Sequence, residues 1–122
     1  MSEVEQETAR VVTAFNEAVN RHDVAAMVAL SDAQLVFEGT SPPDGERLIG
    51  HEQVRSFWEG IFRDSPNARV ETEAMFIAGD RCTVLLNFVF DAARPDAGHV
   101  RGVDVLRVQG GLITEKLSYV KG

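Results

Sequence analysis

The sequence predicts a single α+β domain in which three helices close one side of a curved antiparallel or mixed sheet. Three observations lead to it. Apolar residues in the first half recur at three- and four-residue spacing, from about residue 68 onward they recur at two, and the helical and extended segments are grouped rather than alternating. Grouping argues for helices segregated onto one face of an antiparallel sheet and against a parallel βαβ array. Long strands twist and curl around what packs against them, so the helices are expected on the concave face. A length of 122 residues leaves room for one core, and 44% apolar with 25% charged residues is the balance of a globular domain.

The first helix is expected from Val4 to His22, with Val11, Val12, Phe15, Ala18 and Val19 on one face. Asp23 stands where an N-cap belongs, opening a second, short helix through Val24 to Leu30. Gln34 to Thr40 mixes β-formers with polar residues and predicts a strand, and Ser41-Pro42-Pro43-Asp44-Gly45 predicts a loop. After Gly50, residues His51 to Asp64 place Val54, Phe57, Trp58, Ile61 and Phe62 on one side of a third helix, stopped by Ser65-Pro66. Strands follow at 68–78, 81–91, 99–109 and 112–120, joined by Gly79-Asp80, a loop from Ala93 to Gly98, and Gly110-Gly111.

Charge and cysteine usage narrow the function. A net charge of -7 repels phosphate backbones and anionic lipid, which disfavours nucleic-acid and membrane roles. The acidic opening residues lack the basic and apolar regions of a signal peptide and no apolar run approaches a membrane span, so the expected address is the cytoplasm. Cys82 is the only cysteine, in an apolar run, and is expected in the core. His22, His51 and His99 show no spacing that would aim two imidazoles at one ion, so no metal is expected.

Period two gives the strand from Cys82 an all-apolar face of Cys82, Val84, Leu86, Phe88 and Phe90, expected to meet the helices. In the next strand Val100, Gly102, Asp104, Leu106 and Val108 share a face, with Arg101 and Arg107 on the other. Asp104 is thus an acid among aliphatic residues that neither arginine of its own strand can neutralise. Two readings follow. Facing inward without a cation, it would be a desolvated carboxyl able to stay protonated and donate a hydrogen bond; facing outward, it would be solvated or paired across the sheet. Val103 and Val105 make the opposite face more apolar than a solvated surface requires, which a homodimer through that face would explain, beside exposed β-branched residues in a monomer.

The chain resembles the nuclear transport factor 2-like superfamily, particularly its SnoaL-like polyketide cyclase and steroid Δ5-isomerase branches. The stretches that carry the likeness are Val11 to Asn20 with Asp23, Met27 to Leu30, Gly50 before Val54-Arg55-Ser56-Phe57-Trp58, and Val103 to Val108. The resemblance implies a cone-shaped, cystatin-like α+β roll whose mouth leads to an apolar cavity, and a homodimer through the convex sheet face. It also implies a site, with the isomerase's carboxylate base falling near Glu38 across a one-residue gap and its neutral acid on Asp104. Where the isomerase has a tyrosine donor this chain has Phe15, so half of the oxyanion hole is missing and Trp58 or Tyr119 would have to replace it. The cavity wall is expected from Phe15 and Val19, from Phe57, Trp58 and Phe62, from Val84, Leu86 and Phe88, and from Leu106 and Tyr119.

The expected function is that of a cofactor-independent isomerase or cyclase acting on a small, largely apolar carbonyl compound. Glu38 would take a proton and Asp104 would hold the developing oxyanion. The alternative is a non-catalytic module of the same fold that binds a small ligand or dimerises.

Overall fold

The computed structural model describes residues 1–121. Helix α1 (Glu3–Asn20) starts at a capping box, in which the Ser2 side chain accepts from the Glu5 amide and the Glu5 carboxylate accepts from the Ser2 amide. Its apolar stripe buries Val11, Val12, Phe15, Ala18 and Val19, as the spacing predicts. Asp23 caps α2 (Val24–Ala29) by accepting from the Ala26 amide at 3.1 Å. Gly50, with φ 88°, turns the chain into α3 (His51–Asp64), which buries Val54 and Trp58.

Six strands form one curved, unclosed sheet in the order β2-β1-β6-β5-β4-β3. Strands β3 (Arg69–Ala78), β4 (Arg81–Val89), β5 (His99–Gln109) and β6 (Leu112–Val120) are an antiparallel meander close to the predicted bounds. The sheet is mixed because β1 (Ser31–Glu38) runs parallel to β6. Strand β1 starts three residues earlier than Gln34 because tertiary pairing recruits Ser31, whose partner is Ile113 and whose hydroxyl donates to the Met27 carbonyl at 2.9 Å. Strand β2 (Arg47–Ile49) has only three residues, too few to show a period, and exists because it pairs with Val36, Phe37 and Glu38.

Register breaks between Thr72 and Ala74 in β3, and between Arg107 and Val108 where β5 meets β6, bend the sheet around the helices. Inside the concave face, Phe15, Met27, Leu35, Val84, Leu106 and Ile113 are buried to 2% exposure or less. Cys82 is buried as expected, and burial pushes its thiol up to about 11. No helix among the described residues is long and apolar enough to cross a membrane.

Candidate functional site

Registers across the sheet decide which side chains meet. One row on the inner face runs Met75, Val84, Asp104, Ser118, and the next runs Ile77, Cys82, Leu106, Lys116, Phe37. Asp104 and Lys116 are therefore diagonal neighbours on adjacent strands, within reach of long side chains. Of the two readings of Asp104, the structure selects the inward one. The residue is 9% exposed and lines a cavity of about 220 Å³ between the sheet and α3.

Asp104 is not alone there, which corrects the expectation of a carboxyl without a cation. Lys116 Nζ lies 3.3 Å from Asp104 Oδ2, and the Ser118 hydroxyl donates to Asp104 Oδ1 at 2.7 Å. Lys116 Nζ also donates to Ser118 Oγ at 3.1 Å, closing a three-membered polar array. The ammonium faces aromatic rings, 5.0 Å from the Phe37 centroid and 5.5 Å from that of Trp58. Both charged side chains are buried, at 7% and 13% exposure for Lys116 and Asp104. Around them the wall is mostly apolar, with Phe37, Ile61, Val70 and Val100 joining the expected residues. Trp58 lines the cavity, and its Nε1–H finds no acceptor among the described residues.

Glu38 does not meet this array. Pairing places it opposite Leu117, which is opposite Val105, so it projects from the face away from Asp104, and its carboxylate accepts from Arg47 at 2.7 Å. The pairing of Glu38 with Asp104 in one site is thereby corrected. A one-residue shift along a strand reverses the face, and the gap in the sequence comparison concealed it.

Of the expected wall, Phe57, Trp58, Leu86 and Phe88 line the cavity, and Tyr119 stands at its rim, 57% exposed. Phe15, Val19, Val84 and Leu106 are instead sealed in the packed core, so the place of the missing tyrosine lies out of the cavity's reach. Phe62 is held aside by His22, whose ring stacks on it at 4.0 Å between centroids. Lys116 and Ser118 are the residues that sequence reasoning missed. From Ile113 inward, strict alternation would turn Glu115, Leu117 and Tyr119 toward the helices, but the extra residue at the β5–β6 bulge reverses the parity and brings Lys116 and Ser118 in. Among the described residues no group of acids, histidines and cysteine is arranged to hold a metal ion.

Three helices packed on a six-stranded, mixed, curved and unclosed sheet define the class, an NTF2-like α+β fold. The family profile of the SnoaL-like domain matches residues 12–116, and the chain belongs to that family. The structure is similar to an NTF2-like protein of unknown function from Mesorhizobium loti, with 36% identity and a TM-score of 0.86 over 100% of this chain and 97% of that one. It is also similar to a ketosteroid isomerase-like protein from Kribbella flavida, at 17% identity and TM-score 0.80, covering 97% and 80% of the two chains. A protein described as a SnoaL-like polyketide cyclase, from Jannaschia, aligns at 17% identity and TM-score 0.81 over 99% and 90%. At such identities the last two bear on fold alone. No curated protein matches the chain.

Proposed function

We propose that the chain is a cofactor-independent enzyme of the isomerase or cyclase kind, moving a proton on a small, largely apolar carbonyl compound. The observation that carries this reading is the buried Asp104–Lys116–Ser118 array at the wall of an otherwise apolar cavity. Proton abstraction beside a carbonyl needs a base and a group that takes up the charge developing on oxygen. Asp104 supplies the carboxylate, and Lys116 with the Trp58 Nε1–H, unpartnered among the described residues, supplies donors. The roles differ from those implied by the family comparison, since the acid on β5 becomes the base and a lysine stands in for the absent hydroxyl donor. A cytosolic address fits a single buried cysteine without a disulfide.

Hydrogen–deuterium exchange α to the carbonyl of 2-tetralone, followed by NMR, tests it. The protein should accelerate exchange, and Asp104→Asn should slow it by about a hundredfold or more. Exchange that survives Asp104→Asn unchanged removes Asp104 as base. A non-catalytic binding module is the second reading, favoured by one observation: both Asp104 oxygens already have partners, in Ser118 and Lys116. It predicts that 2-tetralone binds without exchange.

We infer likewise that two copies associate through the convex face. Leu85, Val103, Val105 and Leu117 are only half-buried there, Phe76 and Tyr119 are 60% and 57% exposed, and the ion pairs Arg81–Glu115 and Arg101–Glu73 border them with both signs of charge. A face carrying both signs can meet itself across a two-fold axis without like charges opposing. Light scattering should give a dimer that Val103→Arg converts to a monomer; a monomer in the unaltered chain at high concentration refutes it.

A further inference from the structure

The chain carries only two lysines, Lys116 and Lys121, against ten arginines. Lys121 is exposed, and Lys116 is 6% exposed. Arginine would serve better for a purely structural pair with a carboxylate, since its planar fork binds both oxygens and never yields its proton. A lysine instead offers an amine that becomes a nucleophile once it has passed a proton to a neighbour. Here the neighbour is in place, with Asp104 Oδ2 at 3.3 Å, and the approach to Nζ is walled by the Phe37 and Trp58 rings.

Resting on the carbonyl reading above, we infer that Lys116 condenses with an aldehyde or unhindered ketone held in the cavity, forming an iminium. The ammonium gives a proton to Asp104. The freed Nζ lone pair then attacks the carbonyl carbon while the C=O π pair moves to oxygen, and a second Nζ proton passes to that oxygen to leave a carbinolamine. Protonated Asp104 returns its proton to the carbinolamine hydroxyl, water leaves, and the nitrogen lone pair closes the C=N bond. One ammonium and one carbonyl become one iminium and one water, with no change of total charge and no other reactant. Asp104 ends as a carboxylate beside the iminium and is placed to take the α proton. The iminium nitrogen accepts the resulting electron pair, so no oxyanion hole is required.

Benzaldehyde with cyanoborohydride is the test, because this reductant spares the free aldehyde and fixes the iminium as a benzyl group whose position peptide mapping reads. The Lys121→Arg variant leaves Lys116 as the only lysine to label, and Trp58, the only tryptophan, reports occupancy of the cavity by its fluorescence. In the unaltered chain Lys116 should label about tenfold faster than exposed Lys121, reflecting orientation in the cavity. Benzyl alcohol, which fills the same space without a carbonyl, should block Lys116 and spare Lys121. Lys116→Arg should keep the Trp58 response and lose the cavity adduct. Benzaldehyde that alters Trp58 fluorescence while labelling only Lys121 and the terminal amine overturns the iminium and leaves the carbonyl site standing. Neither fluorescence change nor Lys116 labelling overturns both.

Discussion

Replacing Lys116 with methionine keeps the length of the side chain and removes its charge, which strands the Asp104 carboxylate in the wall of the cavity with Ser118 as its one remaining partner among the described residues. At 3.3 Å and an effective dielectric constant of about 20, the lost attraction is about 5 kcal/mol. Mutations that break one side of a buried pair cost roughly 3–5 kcal/mol, a large share of the roughly 5–15 kcal/mol that holds a domain folded. The double variant Asp104→Leu with Lys116→Met removes both charges from the low-dielectric interior and should fall within about 1 kcal/mol of the unaltered protein, or above it. Urea denaturation of the two single variants and the double one gives a cycle: two losses of at least about 3 kcal/mol each, against a change of at most about 1 in the double variant, make the coupling at least about 5 kcal/mol. Because the pair is buried, that coupling should hardly change as salt is raised. A Lys116→Met loss under about 1 kcal/mol, additive with Asp104→Leu, would show that water reaches the pair, and would refute the reasoning for a desolvated site.

Two further predictions concern the frame around the site. The Cys82 thiol, raised from an ordinary 9.0 to about 11 by burial, should stay unreactive toward a disulfide reagent at pH 8 until urea exposes it. The linkage has a definite sign: below pH 9.0 both states hold the proton, and between 9.0 and about 11 only the native state keeps it, so stability should fall as pH rises through that window. Alkaline urea titrations check this, and a Cys82→Ala variant should lose that part of the slope. Gly102→Ala would set a methyl group 2.7 Å from the Tyr119 carbonyl oxygen and 3.2 Å from Val120 Cγ1, forcing β5 and β6 apart beside the rim of the cavity. A loss of about 1–3 kcal/mol is expected in thermal melts, and no loss would mean that the β5–β6 edge is looser than its pairing implies.

Much of the fold is legible in the residues because local chemistry fixes it. The stripe through Val11, Phe15 and Val19, the Asp23 cap, the change from helical to strand period and the turn glycines each act over a few residues, and the elements appear where those signals fall. The three-residue β2 and the early start of β1 have no such local cause, since each exists through pairing with a distant segment.

The site divides along the same line. That Asp104 sits among aliphatic residues follows from alternation within one strand, and the sequence by itself determines it. Which charge neutralises it, and which acid stays outside, are decided by register between strands: one inserted residue opposite Arg107 and Val108 turns Lys116 and Ser118 inward, and the pairing of Glu38 with Arg47 carries that carboxylate to the other face. Side-chain direction in a strand reverses with every residue, so a bulge rewrites a whole face without altering the composition or periodicity that a sequence displays.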